Sequence, residues 1–170
     1  MNSELTRHLL EVKILTNRGL FDDAIKEMRY CLRIDNTNAD LYKLLGSLKW
    51  LKENWGGAVK AYLKAQQIDP NISGIHLALG TAYLRKRQLD KALPELKMGV
   101  KSDPYNDDAH LLLGVCFYRK GQLKDAIKEF KNVLKINKNN LEAHGCLSQI
   151  YDELGLKDKA KKELEIVSKL

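Results

Sequence analysis

A chain of 170 residues with 44% apolar and 30% charged side chains has enough apolar surface for an ordinary core, which excludes a disordered chain. No apolar run approaches the roughly 20 residues of a membrane-spanning helix, and MNSELTRH has neither the basic start nor the apolar stretch of a secretory signal, so the expected setting is the cytoplasm. Twenty-nine basic against 22 acidic side chains leave +7, spread along the whole chain, which reads as solubility before it reads as an anionic partner.

The order along the chain is a 34-residue unit written five times, each copy predicted as two amphipathic helices and a tight turn. Copy one, 5–38, carries Ala24 and Met28 on its second helix and has Glu11 and Val12 where the other copies have Leu-Gly or Leu-Ser. Asn38 stands as a cap for the next helix. Copy two, 39–72, has Leu45, Gly46, Ala58 and Tyr62 in register, with Lys49 in a slot that is aromatic further on. Asp-Pro at 69–70 closes it, since a residue before proline is pushed out of the helical region.

Copy three, 73–106, repeats the pattern with Leu79, Gly80, Ala92 and Leu96, opens at Ser73 as a predicted cap, and closes with Asp-Pro at 103–104. Its Pro94 is expected to bend the second helix mildly if Asp90 caps it. Copy four, 107–140, follows Asn106 as cap and is the cleanest. His110, Leu113, Gly114 and Phe117 fall at i, i+3, i+4 and i+7, Gly121 turns left-handed after Arg119 and Lys120, and Leu123, Ala126, Ile127, Phe130 and Val133 form a second stripe. Copy five, 141–170, keeps Leu147, Ser148, Ala160 and Leu164. Asn36 and Lys138 stand at the closing proline positions of copies one and four.

Gly or Ser on the first helix and Ala on the second read as a close crossing of two backbones, with the large residue one turn on filling the space beside them. This order of residues at this period resembles the tetratricopeptide repeat over residues 5–170. The resemblance implies an all-α fold, a right-handed superhelical solenoid of about ten antiparallel helices, formed by residues 1–170 as a single domain. Units of this kind need neighbours to bury their faces and polar ends to stay soluble. Lys157, Lys161 and Ser168 at one end, with Arg7 and Glu11 at the other, read as such ends and suggest a short free-standing protein.

Catalytic signatures are absent from the sequence: there is no phosphate-binding glycine loop, HExxH, GxSxG or CxxC, so the expectation is no enzyme, no cofactor and no small-molecule substrate. Cys31, Cys116 and Cys146 read as free thiols in small or apolar slots. His8, His76, His110 and His144 occupy one register. Neighbouring helices lie about 8–10 Å apart, too far for these histidines to share a metal at about 2.1 Å. They read as structural.

The resemblance implies a concave surface lined by first helices as the usual ligand site. The face one residue round from the core stripe reads Leu9, Lys13 and Thr16; Lys43, Ser47 and Trp50; Leu77, Thr81 and Leu84; Leu111, Val115 and Tyr118; then Gly145, Gln149 and Asp152. Its apolar middle predicts a groove for a protein or peptide partner, with Trp50, Leu84 and Tyr118 as anchors. Arg85 and Arg119, with Lys52, Lys86 and Lys120 beyond, form either a basic rim or simple complements to helix dipoles. Some members of the family clamp a carboxylate terminus with Lys and Asn; Ala78, Asp108 and Leu112 break that set here. The alternatives are homo-oligomerisation through a terminal helix, and contact with nucleic acid or an anionic membrane through Lys124, Lys128, Lys131 and Lys135 with Lys159 and Lys162; nucleic acid ranks behind a polypeptide partner.

Overall fold

The structure is a computed structural model that describes residues 3–169. Among these residues it contains ten helices and no strand. Their contacts divide them into two compact bodies that part between Gln88 and Leu89, inside copy three. The N-terminal body holds α1 (Ser3–Asn17), α2 (Phe21–Ile34), α3 (Ala39–Leu51), α4 (Trp55–Ile68) and α5 (Ile75–Arg85). The C-terminal body holds α6 (Leu89–Ser102), α7 (Asp107–Arg119), α8 (Leu123–Ile136), α9 (Leu141–Glu153) and α10 (Lys157–Val167). Within each body every helix packs on the next in sequence.

The helix ends follow the 34-residue period as closely as the core does. Asn38, Asn106 and Asn140 cap α3, α7 and α9 by accepting from backbone N–H groups of the first turn, at 2.9 to 3.4 Å. Ser73 does not cap α5. Gly74 takes that place with φ +72°, and the Ser73 carbonyl instead accepts from the Lys43 ammonium at 2.5 Å. Asp35, Asp69, Asp103 and Asn137 end α2, α4, α6 and α8. Each accepts from the backbone N–H two residues on, closing an Asx turn. Pro94 is the sixth residue of α6, a full turn inside it, and the helix continues through without a break. Asp90 lies in the first turn rather than at the cap.

The turn inside each copy is the most regular feature. Residues 19, 53, 87, 121 and 155 all adopt φ between +56° and +74°, and the next N–H reaches back five residues to a helix carbonyl. Glycine fills this left-handed position in copies one, four and five, but Glu53 and Arg87 fill it in copies two and three. A Cβ there costs about 1–2 kcal/mol, partly offset by the lower chain entropy of a non-glycine residue. Glu53→Gly and Arg87→Gly should each therefore stabilise the protein by about 0.5–1 kcal/mol, read as a higher urea midpoint at unchanged slope.

The recurring alanines 24, 58, 92 and 126 are fully buried, and Ala160 is nearly so. The glycines meet a different partner from the one expected. A Cβ on Gly46 would lie 2.4 Å from the Tyr62 ring, and one on Gly114 would lie 2.8 Å from Phe130. The glycine therefore makes room for the aromatic face across from it. Copy one has Met28 at the ring position and accommodates Val12, which is 1% exposed. Copy five has Leu164 there, and Ser148 fits and donates to the Ala160 carbonyl at 3.0 Å.

Cys31 and Cys116 are buried and Cys146 is half-buried; all three are free, and burial pushes each thiol above its ordinary range, which suits packing rather than reactivity. The histidine register has a consistent partner. His8, His110 and His144 each place Nδ1 2.6 to 2.7 Å from a glutamate 19 residues on, namely Glu27, Glu129 and Glu163.

Candidate functional site

In the N-terminal body, residues expected on the ligand face gather at one end around an open recess of about 330 Å3. It is lined by Leu9, Val12, Lys13, Thr16 and Asn17 of α1 and by Leu44 of α3. Leu9 also packs against the core, whereas Leu44 remains 37% exposed. The walls are aliphatic because α1 is the first helix of the body and buries only Val12 completely. Lys13 stands exposed at its edge.

Along the same face the hydroxyl groups turn inward. Thr16, Ser47 and Thr81 donate to the carbonyls of Val12, Lys43 and Leu77, four residues back on their own helices. With the Ser47 proton so used, Tyr62 is the donor in the 3.3 Å contact between the two hydroxyls. Burial raises the Tyr62 phenol above its ordinary range. Lys43 is tied to Ser73. This stretch therefore offers few uncommitted polar groups.

Trp50 ends up in a cluster. Its ring meets Trp55, the first residue of α4, edge on at 5.3 Å and 67°, and the Arg85 guanidinium lies 5.9 and 5.8 Å from the two ring centroids. Cation–π attraction positions an arginine that is itself exposed. Leu77 and Thr81 are half-buried. Leu84 is 4% exposed, so it is a core residue and not an anchor.

In the C-terminal body, Leu111 is likewise core at 8% exposure, while Val115 is half-buried. Tyr118 is half-buried and polar in its engagements: its hydroxyl donates to the Glu153 carboxylate and accepts from Gln149 Nε2 at 2.7 Å. The bond to Glu153 is the main reason the phenol is held above its ordinary range. Gln149 and Arg119 are exposed. Leu84 and Leu111 were misassigned for one physical reason. An inner helix is covered from two sides, and the buried residues of α7 spread over more than half of its circumference at about 100° per residue, wider than a single stripe.

Two cations beyond the face are committed to internal pairs. Lys52 bonds Asp22 and Lys120 bonds Asp90, each pair 30 residues apart and in the same register. The lysine hydrogen bond holds each aspartate below its ordinary range. A depressed folded value means the pair contributes above the ordinary carboxylate range and fades as pH falls through the depressed value. Lys120→Met should therefore bring the Asp90 titration back up toward the ordinary range, followed by NMR of its carboxyl carbon. Copy two has Gly56 at the aspartate position, and Lys86 lies near it without a carboxylate there. Among the described residues no group of His, Cys, Asp and Glu is arranged to hold a metal ion, and no helix is long and apolar enough to cross a membrane.

Two family models described as tetratricopeptide repeat match the sequence, one over residues 77–140 and one over 117–169. No curated protein matches it. Among solved structures, MamA from residue 41 to its end, from Desulfovibrio magneticus RS-1, superposes with a TM-score of 0.96 at 19% identity, over 100% of this chain and 96% of that one. A further crystal structure of MamA gives 0.89 at 21% identity, over 98% and 91%. YrrB, described as a TPR protein with an unusual peptide-binding site, gives 0.82 at 22% identity, over 98% and 86%. At such identities these likenesses establish the fold.

Proposed function

We propose, from the premise that the chain belongs to the tetratricopeptide repeat family, that it is a non-catalytic scaffold in the cytoplasm whose N-terminal body holds an apolar peptide segment or amphipathic helix of a partner. The recess between Leu9 and Leu44 carries this reading. It accepts one or two aliphatic side chains, with Lys13 at its edge for an acidic neighbour. Arg85, held by Trp50 and Trp55, supplies a second cation on the same body. Lys43, Ser47, Leu77 and Thr81 contribute surface between these points rather than direct bonds. That YrrB, a protein of this fold, is described by a peptide-binding site supports the class of ligand. In the C-terminal body, Val115, Tyr118, Arg119 and Gln149 present a more polar surface of their own.

Burial of one leucine-sized side chain is worth about 1.5–3 kcal/mol. An array of acidic peptides with one leucine or phenylalanine, read by fluorescence anisotropy, should yield binders that Leu44→Asp weakens by at least about tenfold. Equal binding by Leu44→Asp would remove the recess from the mechanism. A second reading, self-association, draws on α10: Leu164 is 55% exposed, whereas Met28, Tyr62, Leu96 and Phe130 in the same register are 0% to 4% exposed. Light scattering across a concentration range separates the two, because a protein that stays monomeric at high concentration leaves only the first.

A further inference from the structure

Copy two departs from its neighbours at positions that lie together. In copies one and three the aspartate that opens the second helix bonds a lysine 30 residues on: Asp22 with Lys52, and Asp90 with Lys120. Copy four has Lys124 and Leu154 at the two positions and so forgoes both partners. Copy two keeps the cation, Lys86, but has Gly56 in place of the acid. Gly57 follows where copy one has Asp23, so the first turn of α4 carries no acidic residue.

The place of the missing carboxylate is open, and its cation is in position. A Cβ on Gly56 would lie 3.8 Å from Lys86 Nζ; apart from its chain neighbours and its own helix backbone, no other atom of the described residues comes within 4 Å. Oxygens one bond beyond such a side chain's next carbon would reach the ammonium at about the 2.8 Å of a charge-assisted bond. Trp55 directly precedes Gly56, and it meets Trp50 edge on. Copy three has Leu89 and Leu84 at these two positions. The two rings hold the guanidinium of Arg85, the neighbour of Lys86, 5.8 and 5.9 Å from their centroids. A cation–π contact positions a guanidinium without an oxygen acceptor, so its fork stays available to a carboxylate.

We infer that Lys86 and Arg85 receive two acidic side chains of a polypeptide partner, one of them filling at Gly56 the place that Asp22 and Asp90 fill from within the chain. This rests on the reading that the N-terminal body takes a peptide with acidic residues, and adds to it a second point of contact. That point is separate from the recess, whose lining includes none of these residues. A carboxylate is the matching group because the equivalent lysines, Lys52 and Lys120, already seat one.

The probe is a capped tetraglutamate peptide, which has no apolar side chain for the recess, titrated into the full chain at low and constant ionic strength. Trp50 and Trp55 are the only tryptophans of the sequence, so intrinsic fluorescence and the indole N–H signals in NMR report this cluster. Both should change and saturate. Gly56→Asp, which supplies the carboxylate from within, should weaken binding by at least about fivefold. Gly56→Asn, of the same size without the charge, should bind as the parent does. So should Lys64→Met, which lowers the net charge by the same amount at an exposed lysine bonded to Gln67. A response that does not saturate, undiminished binding by Gly56→Asp, or an equal loss in either of the other two variants overturns the inference. Because the probe cannot enter the recess, failure here leaves the Leu44→Asp test standing, and failure of that test leaves this titration readable.

Discussion

Gly46→Val is expected to destabilise the N-terminal body by about 2–3 kcal/mol, and adding Tyr62→Met to restore most of that loss. The first branch of the new side chain would start 2.4 Å from two carbons of the Tyr62 ring, which is 4% exposed and has nowhere to retreat. Valine alone must therefore push the ring off its rotamer or part α3 from α4. Methionine is unbranched and flexible, and copy one already combines Val12 with Met28, both almost fully buried. Tyr62→Met alone should cost about 1–2 kcal/mol through the space left beside Gly46. Urea unfolding of the four proteins gives the coupling energy, expected at about 3 kcal/mol in favour of the pair. Additive losses would mean that the glycine register answers to the backbone crossing and not to the ring.

That pairing shows what the sequence makes legible. A residue type recurring at a fixed interval reports a position in the wall of the molecule, so Ala24, Ala58, Ala92 and Ala126 could be assigned to the core before any coordinates. It does not report which neighbour the position faces. The sequence pairs Gly46 with the alanine and leaves Val12 without a reason, whereas the fold sets Tyr62 opposite Gly46 and gives copy one Met28 in place of the ring. The left-handed turn was legible at Gly121 because glycine announces it; Glu53 and Arg87 adopt the same φ with side chains that carry no such signal.

The ligand face fared similarly. Rotating the core stripe by one residue found Leu9, Lys13 and Thr16 at the recess but included Leu84 and Leu111, because periodicity on one helix says nothing about cover from a second neighbour. Leu44 and Trp55 were missed: Leu44 lies one position beyond the chosen face, and Trp55 sits on a second helix. One signal was present and unread. Glutamate follows histidine by 19 residues at 8 and 27, 76 and 95, 110 and 129, and 144 and 163, while copy two replaces both members together with Tyr42 and Ala61.

That joint replacement leads to the second large effect. His110→Ala should cost about 3–5 kcal/mol, whereas His110→Tyr combined with Glu129→Ala should stay within about 1 kcal/mol of the parent. The Pro104 carbonyl, 3.1 Å from His110 Nε2, can only accept, so Nε2 holds a proton and Nδ1 faces the Glu129 carboxylate at 2.7 Å. One ring thus ties α7 to α8 and to the turn before α7. His144 repeats this arrangement with Glu163 and the Lys138 carbonyl. Removing the imidazole leaves Glu129, 8% exposed, with only the 3.4 Å contact from Asn132. Glu129→Ala should be milder than His110→Ala, because the imidazole then keeps its bond to the Pro104 carbonyl. Tyrosine and alanine fill the same two positions in copy two, where Ala61 is 4% exposed, so the double variant removes both members of the pair and keeps the volume near a combination the fold already uses. Urea unfolding of the two single variants and the double is the measurement. A double variant as unstable as the sum of its parts would show that copies two and four hold their helices together by unrelated means.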